Sequence, residues 1–245
     1  MGYLGYKPAD KPLTAADIAD GIITSAKIVD GTIVNADINA SAAIAGTKLS
    51  NTGGLKSMQV FSTAGSFTYT KPSGINLIKV YVTGGGGGGG KGGSSEAAGG
   101  GGGAGGTAIK VINATSITTE TVTIGGGGAS ETAGSTSSFG SHCSATGGEK
   151  GLNAYALAGD TEGGVGSSGD INLYGQAGGG AADEKTGGQT GGLGGSSFWG
   201  GGGYGIYNTT GLVGYHGGGG GGGQRATGNI GGAGGAGICV VEEYS

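Results

Sequence analysis

The chain has 245 residues, 69 of them glycine, and a formal net charge of −4 with only 12 Lys plus Arg. Glycine at about four times ordinary usage rules out a conventional side-chain core across most of the chain, and so few basic residues leave no footprint for nucleic acid or anionic lipid. The glycines keep no Gly-X-Y period and the three prolines, Pro8, Pro12 and Pro72, lie outside the glycine-rich part, which excludes collagen; no run approaches the roughly 18 apolar residues of a membrane span.

Residues 1–14 contain no apolar leader region, and Tyr6 stands where a myristoylation motif wants Ser or Thr. They read as an attachment segment of a chain made in a cytosol and remaining soluble. Residues 15–50 carry a repeat: Ala16-Asp17-Ile18, Ala26-Lys27-Ile28 and Ala36-Asp37-Ile38 share one phase, as do Asp20-Gly21 and Asp30-Gly31. Ile18, Ile23, Ile28, Ile33 and Ile38 fall five apart, and the ladder slips by one at Ile44. That period fits neither a helix nor a simple strand. It suggests short extended pieces that turn at each Asp-Gly or equivalent and present isoleucines to one side. A single ladder of this length cannot enclose its own apolar edge, so copies of the chain are expected to cover it, making residues 15–50 an oligomeric stem.

Residues 51–58, containing Asn51-Thr52-Gly53-Gly54, read as a linker. Strands are then expected over Gln59–Tyr69, Ile75–Thr83, Thr107–Asn113, Ile117–Ile124 and Ile238–Tyr244, where β-branched residues are bounded by Pro, Gly and Ser. All but nine of the glycines lie from Gly84 onward, with unbroken runs at 84–90, 99–103, 125–128, 200–203 and 217–223. Glycine loses the most backbone entropy on folding and buries no side chain, so such runs need another source of order. Extended left-handed helices of about 3.1 Å rise per residue supply one, because without side chains they pack backbone to backbone and hydrogen-bond laterally. The fold class is therefore mainly β and extended, with few or no helices: an isoleucine-repeat stem, then a small β-scaffold with packed polyglycine II-type tracts in residues 59–245.

Chemical motifs are sparse. Gly85, Gly90 and Lys91 follow a strand with phosphate-loop spacing, but Gly92 replaces the Ser or Thr that would bind metal, and Gly92-Gly93 cannot open a helix. His142, Cys143, His216 and Cys239 lack paired-ligand spacing, and the two cysteines are too few for a disulfide framework. Asp160 with Glu162 and Asp183 with Glu184 read as solvated turns rather than a hydrolytic pair. No catalytic residue, metal or cofactor is expected. The aromatics are more informative: Phe198, Trp199, Tyr204, Tyr207 and Tyr215, the last followed by His216, crowd between and beside glycine runs. They suit stacking on a sugar or gripping a protein loop, or else capping the glycine stack; Tyr155 and Tyr174 are weaker candidates of the same kind.

Two resemblances follow from these segments. The Ala-Asp-Ile and Asp-Gly-x-Ile phrases over residues 3–50 resemble the stalk repeats of bacteriophage tail fibres, which implies a three-fold fibre. The succession FTYTKPSGINLIKVYVTGGGGGGG, GGTAIKVINATSITTETVTIGGGGA, SSFGSHCSATGGEKG and GGAGGAGICVVEEYS is similar to the glycine-rich domain common at the ends of such fibres, and the glycine runs resemble those of polyglycine II tip adhesins. The resemblance implies a homotrimeric, non-enzymatic receptor-binding protein of the virion tail. It would contact other tail or baseplate proteins through its N-terminus and a host glycan or outer-membrane protein through its distal loops. A purely architectural fibre segment and a glycine-rich ice-binding protein are the alternatives.

Overall fold

The computed structural model describes residues 14, 16, 18–39, 41–42, 44, 54–93, 98–153, 161–184, 188–205, 210–223 and 229–245. Two compact units divide at Ser50 and Asn51.

In the first unit the repeat is ten residues long, with two kinds of turn alternating every five. At Asp20-Gly21 and Asp30-Gly31 the glycine has φ +80°, and Ile22 and Thr32 donate to the carbonyls of Ala19 and Val29. This is the type II pattern, whose third residue needs the positive φ that glycine accepts freely. Five residues after each comes a single 3-10 turn, Ser25–Lys27 and Asn35–Asp37, the second tied by Val34 N–H donating to Asp37 Oδ2 at 2.9 Å. Short extended pieces alone therefore do not describe the ladder. The isoleucines fall into two sets: Ile18, Ile28 and Ile38 are each 41% exposed, Ile23 and Ile33 57% and 54%. Ile44 is exposed as well, as is every residue of this unit whose side chain is described.

The second unit is built on two antiparallel five-stranded sheets. One orders β1 (Leu55–Phe61), β12 (Ile238–Tyr244), β3 (Leu77–Thr83), β4 (Thr107–Asn113) and β9 (Ile171–Leu173). The other orders β2 (Gly65–Thr70), β5 (Thr119–Ile124), β6 (Ser137–Phe139), β7 (Cys143–Ala145) and β8 (Gly166–Ser167). A small ribbon pairs β10 (Ala182–Glu184) with β11 (Gly188–Thr190). The alternation within β3 sends Ile78, Val80 and Val82 inward, where they meet Val122, Ile124, Phe139 and Cys143 of the facing sheet. Tyr69 packs on Phe139 with ring centroids 5.4 Å apart, and its hydroxyl donates to the buried carboxylate of Glu243, which also accepts from Gln59 and Ser57. No α-helix occurs among the described residues.

β4 and β12 match their expected spans. The stretch expected as one strand over Gln59–Tyr69 is two strands in different sheets, because the chain crosses the sandwich at residues 62–64. β1 begins at Leu55, within the stretch read as a linker.

Several strands run on directly into glycine tracts, and the tract 84–90 shows the rule that orders them. Gly84, Gly87 and Gly90 donate to Gly106, Gly103 and Gly100; Gly85 and Gly88 to Ser135 and Thr132; Gly86 and Gly89 to Gly235 and Gly232, at 2.8–3.0 Å. Its carbonyls accept from three other tracts: Gly85 and Gly88 from Gly148 and Gly151, Gly86 and Gly89 from Gly128 and Glu131, Gly87 and Gly90 from Gly220 and Gly223. Bonding with period three to six surrounding columns, at negative φ, is polyglycine II packing. Tracts 99–106 and 217–223 adjoin 84–90 and each other in the same way.

Among the described residues six tracts leave the sandwich (84–90, 125–129, 146–152, 174–179, 200–205, 217–223) and six return (99–106, 132–136, 161–165, 191–195, 211–215, 230–237). The three mutually adjacent columns are the most glycine-rich because they are enclosed. A Cβ on Gly86 would lie far inside contact with the carbonyl of Gly218, and one on Gly102 with that of Gly87.

Candidate binding surfaces

The bundle has two ends. At the far end each outgoing tract stops and its return begins; at the sandwich end the tracts continue into strands or, at 196–199 and at His216, reverse in short turns. Tyr204 is 63% exposed on the outgoing tract 200–205, level with Leu212 and Gly221, toward the far end. With Gln176, Leu193 and Ser196 it lines an open cavity of about 480 Å³. Tyr155 and Tyr207 lie outside the described residues.

The other candidates belong to the sandwich end. Phe198 and Trp199 occupy the turn between tracts 191–195 and 200–205, Tyr215 and His216 the turn between 211–215 and 217–223, and Tyr174 opens the tract that follows β9. The structure thus divides residues that are neighbours in sequence between opposite ends. Tyr174 and Tyr215 are largely exposed, and His216 has φ +40° beside Gly217 at +82° in the tight reversal. The two turns are tied together: Ser197 Oγ donates to the His216 carbonyl at 2.6 Å and accepts from Gly200 N–H at 2.9 Å.

Phe198 and Trp199 do not stand free. Trp199 meets Tyr81 edge-on at 5.6 Å between centroids and Phe198 at 5.0 Å, while Phe198 lies stacked over Tyr81 at 6.2 Å. Tyr81 is on β3, on the sheet face turned away from the core. Sequence reasoning passed over it because it sits inside a strand. Lys79, with its ammonium 4.9 Å from the Tyr81 ring centroid, and Glu242 and Tyr244 of β12 share that face.

Gly84 to Gly90, which follow β3 like a phosphate loop, have every N–H bonded to a backbone carbonyl. None is left to hold a phosphate. Cys143 and Cys239 are free thiols buried in the core; burial pushes the Cys143 thiol up to about 11 and the Cys239 thiol higher, so neither offers a thiolate near neutrality. His142 sits 3.1 Å from Glu120 in an ion-pair arrangement. Among the described residues no group of three His, Cys, Asp or Glu side chains converges.

This architecture defines a class: a β-sandwich whose strands continue into a laterally hydrogen-bonded polyglycine II bundle. The chain belongs to the glycine-rich domain family, whose model matches residues 62–244. No curated protein matches the chain.

Proposed function

We propose that this chain is a structural fibre protein of a bacteriophage tail that recognises the host cell surface through the connections at the far end of the bundle. The observation that carries this reading is the bundle's directionality. Six outgoing tracts stop and six returning tracts begin at one end, where the described residues Lys91, Glu131 and Asn153 stand, on a scaffold whose order comes from backbone hydrogen bonds and is indifferent to the sequence of what joins them. Lys91, Glu131 and Asn153 supply side chains there that the glycine tracts lack, with Lys91 N–H donating to Asn153 Oδ1 at 2.9 Å. Loops on a rigid frame are the usual carriers of recognition. The exposed isoleucine ladder of the first unit supports assembly with copies of the chain, proposed as a trimer, and repeated contacts would give avidity from weak single sites.

Replacing the far-end segments with glycine–serine segments of equal length should abolish adsorption of the purified protein to host cells while preserving its circular dichroism and oligomeric state. Unchanged adsorption would remove recognition from that end, and an intact protein that never adsorbs would favour a purely architectural fibre segment.

A further inference from the structure

The outer face of the β1-containing sheet carries a second arrangement that neither the bundle nor the far-end segments use. Along β3 and β12, Lys79, Tyr81, Glu242 and Tyr244 alternate with the core residues Val80, Val82, Val241 and Glu243, and therefore point away from the core. Tyr244 Oη donates to Glu242 Oε2 at 2.8 Å, and Tyr81 Oη lies 3.5 Å from both oxygens of the same carboxylate. Phe198 and Trp199 border this polar group, through their ring contacts with Tyr81. Their turn is held by Ser197, whose hydroxyl accepts from the N–H groups of Trp199 and Gly200 and donates to the His216 carbonyl.

Covering the sheet accounts for part of this. Val240 and Ile109 pair with Tyr81 on the outer face and are nonetheless only 5% and 8% exposed. A cover alone does not explain why Phe198 remains 51% and Trp199 38% exposed, nor why Tyr81, which both rings touch, carries the Lys79 ammonium 4.9 Å from its ring centroid and its hydroxyl 3.5 Å from the Glu242 carboxylate. Two large rings held half in water by a hydrogen-bonded turn, next to a preorganised acceptor and donor, are suited to a ligand that is apolar on one side and hydroxylated at its rim. A sugar ring has this form, since its C–H face stacks on an indole and its hydroxyls both donate and accept. Glu242 and Lys79 are cross-strand neighbours on this face, and opposite charges side by side select against net charge, because an anion meets the carboxylate and a cation the ammonium.

We propose that this face is a binding site for neutral glycan, with Trp199 as the stacking platform and Glu242 as the acceptor for sugar hydroxyls. The site stands on its own geometry and does not require the far-end segments to bind anything.

Trp199 is the single tryptophan of the chain, so its emission reports on this site alone. The full-length protein is titrated with cellohexaose, maltohexaose and chitohexaose, with an oligogalacturonate as the charged comparator. At least one neutral hexasaccharide should change Trp199 emission saturably at millimolar concentration or below, with a weaker response to the oligogalacturonate. E242Q should weaken that binding by about tenfold or more at unchanged thermal midpoint, the loss expected for a hydrogen bond to a charged acceptor. Y244F, which leaves the carboxylate in place, should weaken it less. No saturable response to any neutral sugar, an unchanged E242Q, or an emission shift that follows protein concentration instead of sugar would overturn the proposal, the last by showing that another copy covers the face. A protein with glycine–serine far-end segments should keep the full sugar response, so loss of cell adsorption and loss of glycan binding are separately visible.

Discussion

Glycine is required at some positions of this bundle and merely present at others, and the space around each Cβ position distinguishes them. At Gly86, on an enclosed column, a methyl group would run into the carbonyls of Gly218 and Gly217. Both are backbone atoms, which cannot rotate aside as a side chain does. At Gly201, on an outer column, nothing lies within 4 Å of the same position, and its φ is not in the left-handed region. Gly86→Ala should therefore cost at least the roughly 1–3 kcal/mol typical of overpacking. Gly201→Ala should be neutral or stabilising by about 0.4–1 kcal/mol through the entropy of the unfolded chain. Chemical denaturation of the two variants measures the contrast, and equal effects would mean that lateral packing does not set the order.

At the level of elements, the sandwich aligns the tracts, and its core joins three titratable groups from different strands: Tyr69 of β2, Cys143 of β7 and Cys239 of β12. Burial raises all three, with the hydrogen bond to Glu243 adding to the effect at Tyr69. Each is then held protonated more tightly in the folded state than in the unfolded chain. The stability this contributes is fully present below the ordinary thiol value near 9 and is lost as pH rises through the folded values, about 11 for Cys143 and above that for the other two. The urea midpoint should stay level up to pH ~8 and decline from pH ~9 upward, and a Cys143→Ala, Cys239→Ala protein should decline less steeply. A midpoint level to pH ~11 would place both thiols in contact with water.

The same elements show what could be read from residue order. β4 and β12 were legible because ICVVEEY and TAIKVIN are dense in β-branched residues and end at glycine or polar positions. β6 to β9 were not, because Ser-Ser-Phe, Cys-Ser-Ala, Gly-Ser and Ile-Asn-Leu are too short to show an alternation and pair only within the frame around them. The glycine runs announced lateral packing, but the partner of each tract did not, since a run of identical residues carries no register. The register comes from the strands: Thr83 opposite Thr107 sets Gly84 against Gly106 and so the whole ladder. For the same reason the sequence could not tell that Trp199 faces a sheet while Tyr204, five residues on, stands toward the other end.

For the whole molecule, the two units solve the problem of burial differently. Residues from 51 onward enclose Tyr69, Ile78, Val80, Phe139 and Val241 completely and bond each enclosed glycine column to its neighbours. In residues 1–50 the apolar side chains Ile18, Ile22, Ile23, Ile28, Val29, Ile33, Val34, Ile38 and Ile44 are all exposed. A repeated isoleucine edge whose described residues are held by turns and are all exposed gains stability only when something covers it. If copies of the chain do so, the contributions separate cleanly. A protein beginning at residue 51 should fold with the same thermal midpoint at every concentration and sediment as a monomer. The full chain should sediment as an oligomer, with the trimer as the expected species, and Ile28→Asp with Ile38→Asp should shift it to monomer while the far-ultraviolet spectrum of the sandwich persists. A monomeric full chain would assign the ladder to a different partner, and an oligomeric 51–245 protein would move the assembly contacts into the glycine-rich unit.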